Sequence, residues 1–151
     1  MSADPITDLL VGVAELLDAA GAGTWNGLGA AAAVGATNTA ITLRQTPPEP
    51  DRSITLTDYP VTSNARLTDT VTGLNVRVRG RTPGQASATA AAVYAALHAL
   101  GRAALGTVPN GVLVTDAYLQ SEAQVGPDNN GRAVRSINYY IRWNRAHPRL
   151  D

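Results

Sequence analysis

One alternating segment near the C-terminus constrains the fold more than any other part of the sequence. From residue 136 to residue 143, polar and large apolar residues take turns without interruption. Successive side chains of a β-strand point to opposite faces, so this pattern predicts a strand that is covered on one face only. The predicted buried face carries Ile137, Tyr139, Ile141 and Trp143, and the other carries Ser136, Asn138, Tyr140 and Arg142. The preceding sequence Asp-Asn-Asn-Gly at 128–131 predicts a hairpin turn that leads into the strand.

Four more segments have the composition of strands. They are residues 39–44, 53–57, 71–79 and 112 to about 120. The first two are separated by residues 45–51, in which three prolines exclude regular structure. The sequence Asp-Tyr-Pro at 58–60 is expected to end the second strand, and the polar residues 61–70 are expected to form a loop.

Two segments predict helices by their caps and their apolar stripes. Asp4 can cap the first helix, Pro5 suits its first position, and Gly21 is expected to end it. Thr82 and Gln85 have the spacing of a capping box around Pro83 at the start of the second helix. The first stripe consists of Ile6, Leu9, Leu10, Val13, Leu17 and Ala20, and the second of Ala86, Ala90, Val93, Leu97, Leu100 and Ala104.

These elements predict an α+β fold in one domain, residues 1–151, with a mixed or antiparallel sheet of about four to five strands packed against two helices. The pattern of residues 21–36 fits either a loop or a short strand, and it does not decide whether residues 21–38 are ordered before assembly. Alanine is abundant, phenylalanine is absent and one methionine occurs. Such a core buries little area per residue, so we expect the subunit to depend partly on neighbouring subunits.

The charge and cysteine content exclude several classes of function. Twelve basic residues, all arginine, balance twelve acidic residues. A net charge of zero argues against broad electrostatic binding to nucleic acid or to an anionic membrane. The absence of cysteine excludes disulfides, thiolate zinc sites and a cysteine nucleophile. Neither a signal peptide nor a membrane-spanning segment is indicated, so we expect synthesis in the cytoplasm.

The sequence offers no convincing catalytic, metal or cofactor site. Its two histidines, His98 and His147, stand alone, and His98 is expected to be a partly buried surface residue. The glycine-rich residues 21–35 lack the lysine and hydroxyl ending of a phosphate-binding loop, and no serine has the context of a nucleophile. Residues 128–131 resemble half of a calcium loop, but the remaining acidic ligands are missing, which favours a simple turn. We therefore expect no enzyme activity and no cofactor.

A row of arginines is the charged feature that has a direction. Arg77 and Arg79 are expected on one exposed strand face, and Arg81 continues the row into the next loop. The predicted hairpin adds Arg132, Arg135 and Arg142. A solvated sheet face and a contact with acidic residues of a neighbouring protein explain this row about equally well. Contact with DNA is the third interpretation, because no aromatic residues or lysines interleave.

Four segments together resemble one protein family. They are residues 47–60, residues 73–80, the capped helix that follows, and residues 126–132 with their strand. This pattern resembles the small tail terminator, or minor capsid, proteins of long-tailed actinobacterial phages. The order of the elements also matches, and the resemblance covers nearly the whole chain.

The resemblance implies a structural protein without catalytic residues. Terminators form a homo-hexameric ring at the head-proximal end of the tail tube, stop tube polymerisation and present a joining surface to the head–tail connector. The lumen passes the genome DNA without sequence-specific binding. The expected location is therefore the virion.

By the same analogy, loops 59–70 and 121–131 are expected to touch axial partners, and strand edges and helices to form lateral contacts. The residues expected at subunit or partner contacts are Asp58, Tyr59, Arg77, Arg79, Arg81, Asp128, Arg132 and Arg135. The alternatives are a head–tail connector or head-completion protein, the tail-tube protein, and a small cytoplasmic ligand-binding domain or enzyme.

Overall fold

The described part of the backbone forms one mixed sheet and two helices. A computed structural model describes residues 4–27, 35, 38–64, 67–106 and 111–144. In chain order the elements are α1 (Pro5–Ala19), β1 (Ala40–Leu43), β2 (Ser53–Asn64), β3 (Leu67–Gly80), α2 (Pro83–Leu97), β4 (Ala103–Leu105), β5 (Val112–Gln124) and β6 (Ala133–Asn144). The predicted α+β class is confirmed, and the described residues contain six strands rather than the four to five expected.

Two long hairpins form the centre of the sheet. The strand order is β1-β2-β3-β6-β5-β4, in which β1 pairs with β2 in parallel and every other pair is antiparallel. The β2–β3 hairpin and the β5–β6 hairpin meet through β3 and β6, which pair along twelve registered positions. The outer strands are short, so β1 covers only residues 53–56 of β2, and β4 covers only residues 112–114 of β5.

Both helices pack on one face of this sheet and form a single apolar core with it. Helix α1 contacts β1, β2, β4 and β5, and helix α2 contacts β3, β5 and β6. The core contains the predicted face of β6, in which Ile137, Tyr139, Ile141 and Trp143 are all buried. The indole nitrogen of Trp143 donates to the Thr72 hydroxyl at 2.9 Å, so even this buried polar group is satisfied. In the described part of the chain, no helix lies on the opposite face of the sheet.

The predicted helix caps are confirmed. Asp4 Oδ1 accepts the Thr7 backbone N–H at 3.2 Å, and Thr82 Oγ1 accepts that of Gln85 at 3.2 Å. The reciprocal bond of the second cap goes one residue further back than the capping box predicts, because Gln85 Oε1 accepts from the Arg81 backbone at 2.9 Å. Gly21 follows α1 with φ of 81°, a left-handed conformation that glycine adopts without a steric penalty.

Several boundary predictions were wrong, and one of them is the end of β5, which reaches Gln124 rather than about residue 120, so residues 121–124 are strand and not loop. The β2 strand does not stop at 58–60 but continues through Pro60, because β2 is an edge strand beyond residue 56, where a proline is tolerated. Much of 61–70 is therefore strand rather than loop. Helix α2 ends at Leu97, since Ala99 and Gly101 take φ values of 57° and 71°. The chain then turns back to form the unpredicted β4, so Ala104 belongs to a strand and is exposed.

The structure describes part of residues 21–38, whose conformation the sequence pattern left undecided. Thr24 forms a parallel bridge with Ala40, and Trp25 donates its backbone N–H to Asp18 at 3.0 Å. Residues 28–34, 36–37 and the segment that holds His147 lie outside the described residues.

Candidate functional site

The sheet face that no helix covers is organised in rows across the strands. One row contains Thr57, Asn75, Asn138 and Ser121, which face one another on β2, β3, β6 and β5. Asn75 Nδ2 donates to Asn138 Oδ1 at 3.0 Å, and Asn138 Nδ2 donates to the Ser121 hydroxyl at 3.1 Å. These bonds link β3, β6 and β5 across the uncovered face.

The next row is aromatic. Tyr59, Gly73, Tyr140 and Tyr118 face one another on the same four strands. The Tyr59 ring lies over Gly73, since a Cβ on that glycine would sit 2.2 Å from two ring atoms. Tyr118 and Tyr140 meet edge to face with ring centroids 5.8 Å apart. Burial, and then the nearby Tyr140, raise the pKa of Tyr59, so its hydroxyl stays protonated at neutral pH.

A cluster of opposite charges closes the end of this face near the β5–β6 turn. We call it the arginine–aspartate cluster, and it consists of Asp51, Arg79, Arg81, Asp128 and Arg132. Asp51 pairs with Arg81 at 2.8 Å and with Arg132 at 3.4 Å, and Asp128 pairs with Arg132 at 2.8 Å. Arg132 also donates to the Pro48 carbonyl at 2.8 Å. The cluster thereby joins the proline-rich loop 45–51 to the end of β3 and the start of β6, which lie side by side.

The exposed position expected for Arg79 was wrong. Arg79 is only 4% exposed, and its guanidinium donates to the carbonyls of Pro50 and Asp51 at 2.7 and 2.9 Å. The proline-rich loop folds over the strand end and covers this side chain. Arg77, two residues earlier, is exposed and makes no side-chain hydrogen bond or ion pair within the described residues.

Electrostatics within the cluster lower the pKa of its carboxyl groups. The Arg81 hydrogen bond is the largest cause of the lowered pKa of Asp51, and the backbone N–H of Arg132 is the largest cause for Asp128. Burial lowers the pKa of Arg79, and the neighbouring Arg132 adds to this effect. Both carboxylates are therefore ionised at neutral pH, as the ion pairs require.

The turn predicted at 128–131 is confirmed. Asp128 Oδ1 accepts the backbone N–H groups of Asn130 and Arg132, both at 2.9 Å, and Gly131 has φ of 75°. Among the described residues, no group of three or more histidine, aspartate or glutamate side chains could hold a metal ion.

Two of the expected contact residues, Asp58 and Arg135, lie on the face of the sheet that the helices cover. Asp58 pairs with Arg44 at 3.1 Å, and Arg44 also donates to the Thr7 hydroxyl of α1 at 3.0 Å. Arg135 pairs with Glu122 at 3.2 Å. Sequence reasoning missed Arg44, Asp51 and Glu122, because each pairs with a residue at least 13 positions away and no local pattern marks such a pair.

A groove of about 460 Å³ lies on that helix side, between α2 and the β5–β6 hairpin. Ala91 and Tyr94 of α2 line one wall, and Glu122, Arg135 and Tyr139 line the rest. The Tyr139 hydroxyl and Arg135 Nε are buried without a hydrogen-bond partner among the described residues. Burial, and then Glu122, raise the pKa of Tyr139 to about 12. The second helix ends beside this groove, where His98 is exposed, stacks on Tyr94 and accepts the Leu119 backbone N–H at 3.1 Å.

Comparisons with known proteins agree with a phage tail assignment. The family model described as bacteriophage tail terminator protein matches residues 16–145. No curated protein sequence matches the chain. A chain of the solved virion of a native gene transfer agent particle has a similar fold, with a TM-score of 0.60 and 19% identity over 94% of this chain and 98% of that chain. No helix in the described part of the chain has the length and apolarity to cross a bilayer.

The family match extends over all six strands, all of α2 and the last four residues of α1. Membership in that family makes the chain a structural tail protein and not an enzyme. The chain belongs to the bacteriophage tail terminator family.

Proposed function

We propose that the protein closes into a ring that caps the head-proximal end of the tail tube, ends tube polymerisation and joins the tube to the head–tail connector. The ring is a homo-hexamer that passes the genome DNA through its lumen. The protein is made in the host cytoplasm and then resides in the virion. Membership in the terminator family supports this proposal. The similar fold found in a gene transfer agent virion favours assembly with other tail and head proteins.

The observation that carries the ring is a pair of unpaired strand edges on opposite sides of one sheet. Among the described residues, β2 pairs with no strand on its outer side over residues 57–64, and β5 pairs with none over residues 115–124. On β5, the Ala117 carbonyl and the Leu119 N–H are already bonded by Ala99 and His98, so the unpaired part of this edge lies beyond Leu119. The open part of a strand edge presents unsatisfied backbone groups, which pair readily with another strand. A contact between two different edges is heterologous, and heterologous contacts close into rings.

The strand directions fit such a closure. Three antiparallel steps separate β2 from β5, so these strands run in opposite directions. A second copy rotated about an axis along the strands therefore brings its β2 antiparallel to β5. Each added copy extends the sheet in the same antiparallel order, without reversing a subunit.

The hairpin connections fit two different axial partners. The β2–β3 connection and the β5–β6 turn lie at opposite ends of the sheet, because the two hairpins open in opposite directions. In a ring whose strands follow the axis, one set of connections faces the tube and the other faces the connector. Two unlike ends explain how a terminator accepts a tube on one side only.

The test is the solution mass by light scattering, followed by negative-stain imaging with and without purified tail tubes. We expect single rings, or subunits that form one ring on a tube end. Long tubes assembled from this protein alone would identify it as the tube protein instead. A stable monomer that ignores tube ends would contradict the proposal altogether.

A further inference from the structure

The connection between α2 and β4 lies against the outer edge of β5. The Ala99 backbone N–H donates to the Ala117 carbonyl at 2.8 Å, and the Leu119 backbone N–H donates to His98 Nδ1 at 3.1 Å. A strand added to this edge would make the same kinds of bond, because it offers one donor and one acceptor to every second residue. We call His98 and Ala99 the edge clip, since together they take the place of a neighbouring strand.

The edge clip is a weaker partner for β5 than a strand would be. Both of its residues are exposed, and one of its two bonds ends on a side chain rather than on the backbone. Ala99 also has φ of 57°, the left-handed conformation, which brings the Cβ of an alanine too close to the following carbonyl oxygen. Glycine adopts this conformation without that crowding, as Gly101 does with φ of 71°.

The clip shortens the edge that the proposed ring needs. β4 pairs with residues 112–114 of β5, and the clip bonds residues 117 and 119, so the open part of this edge is residues 120–124 among the described residues. A register shift between Leu119 and Ser121 makes the start of this short stretch irregular. Without the clip, β5 would offer residues 115–124, which is at least as long as the open stretch 57–64 of β2.

Release of the clip requires only a local movement. Leu97 is fully buried and Leu100 packs against the core, so both flanks stay anchored while the two residues between them turn. A turn of Ala99 to an ordinary negative φ relieves its crowding and withdraws its N–H from Ala117. The exposed backbone groups of β5 then lack protein partners until another strand supplies them.

We infer that the edge clip is a releasable cover on β5, and that the β2 strand of a second copy displaces it when the ring closes. This inference rests on the proposed ring and adds the regulation of its lateral contact. The cover competes with the incoming strand, so it raises the concentration at which free subunits assemble. Subunits bound side by side on a tube end present that strand at a high local concentration, and there it prevails. The cover thus favours rings on tubes over rings free in solution.

The first experiment changes the clip in both directions at one residue. Ala99→Gly removes the crowding and strengthens the clip, so it should raise the concentration of half-assembly about threefold. Ala99→Pro removes the N–H and fixes φ near about −65°, which excludes the clip conformation, so it should lower that concentration about fivefold. The melting temperature of the free subunit should stay the same or rise with glycine and fall with proline. A fall in melting temperature together with weaker assembly of Ala99→Pro would indicate a merely structural role and overturn the inference.

A second variant opens the clip without a change of the backbone. His98→Ala removes the acceptor of the Leu119 N–H, so it should lower the concentration of half-assembly about threefold. The matched control is Arg102→Ala, at an exposed residue of the same connection that makes no side-chain hydrogen bond or ion pair within the described residues. This control should assemble like the wild type.

Hydrogen exchange of two backbone amides distinguishes a releasable cover from a permanent one. In the free subunit, the Ala99 and Leu119 N–H groups should both be protected, since both are hydrogen-bonded. In the ring, the Ala99 N–H should exchange at least about tenfold faster, while the strand of the neighbour keeps the Leu119 N–H protected. An Ala99 N–H that stays protected in the ring would mean that the clip remains closed, and would overturn the inference.

The remaining outcomes separate this inference from the proposed function. Rings that form at one concentration in the wild type, Ala99→Gly and His98→Ala would overturn the inference and leave the terminator ring intact. Irregular aggregates in place of rings from His98→Ala would show that the clip only protects the edge, and would also overturn it. If neither the wild type nor His98→Ala formed rings, free or on tube ends, the proposed function itself would be refuted.

Discussion

At the scale of single residues, the aromatic row shows how one glycine shapes a surface. Gly73 is buried in β3 between Tyr59 and Tyr140, its partners on the adjacent strands. A glycine within a strand normally weakens it, since no side chain packs there. Here the Tyr59 ring fills that space. Gly73 therefore positions a tyrosine that the sequence had assigned to a loop.

We expect Gly73→Ala to lower the free energy of unfolding by about 1–3 kcal/mol, because the new methyl group displaces the Tyr59 ring. Urea denaturation measures this change. The control Gly84→Ala has its nearest atom 3.9 Å away in α2, so it should leave stability unchanged or raise it by up to about 1 kcal/mol. In a Tyr59→Ala background, Gly73→Ala should cost less. An equal cost in both backgrounds would mean that the ring is not the cause.

At the scale of elements, the arginine–aspartate cluster determines where the proline-rich loop lies. Loop 45–51 has no regular structure of its own, and its prolines leave few backbone donors to fasten it. Instead, the Pro48 carbonyl accepts from Arg132, which immediately precedes β6, and the Pro50 carbonyl accepts from Arg79 of β3. Three of the arginines expected to meet a partner are thus engaged inside the subunit, where they join the loop to both hairpins.

This cluster predicts a loss of stability in acid. The folded state lowers the pKa of Asp51 and Asp128, so their contribution is present above about pH 4 and disappears as the pH falls through the lowered values. The melting temperature should therefore decrease between about pH 4 and pH 2. The variant Asp51→Asn/Asp128→Asn should have a lower melting temperature than the wild type at pH 7. On acidification, its melting temperature should fall by less than that of the wild type.

The matched control for the acid experiment is Asp116→Asn. Asp116 is exposed on β5 and makes no ion pair within the described residues. Its acid-dependent melting should follow that of the wild type. If the cluster variant also followed the wild type at every pH, these ion pairs would not contribute to the stability of the loop.

At the scale of the whole molecule, most of the charged residues expected at contacts are already paired within the subunit. Asp58, Arg79, Arg81, Asp128, Arg132 and Arg135 all have partners within the chain. Arg77 on the uncovered face is the exception among the residues expected at contacts, together with the uncharged Tyr59. The contact of Arg77 with a neighbouring subunit or an axial partner stays a prediction.

We expect Arg77→Glu to change the free energy of unfolding of the subunit by less than about 0.5 kcal/mol, since the side chain is exposed and unpaired. The same change should weaken ring formation or tail joining, because it reverses the charge at the proposed contact. Negative-stain counts of rings and of tail–head junctions measure both. Arg102→Glu, at another exposed arginine without an ion pair in the described part of the chain, should leave both unchanged. Intact rings and junctions with Arg77→Glu would remove Arg77 from the contact.

The local pattern of the sequence determined the elements and much of their burial. Both helix caps, the turn at 128–131 and the alternation of β6 were predictable, because each depends on residues within a few positions of one another. Family membership was predictable from the order and composition of four segments, and the family match bears it out. The ends of β2 and the existence of β4 were not predictable from the sequence, because a strand with a short or irregular pattern is stabilised by its neighbouring strands.

Only the tertiary structure decided which charged residues are available. Arg77 and Arg79 belong to one strand face and look equivalent in sequence, yet loop 45–51 covers one and leaves the other exposed. Asp58 and Tyr139 are far apart in sequence but fall in one register row of the sheet. Such pairings depend on how separate strands and loops meet. Burial then decides whether a charged side chain is paired inside the subunit or stays available to a partner.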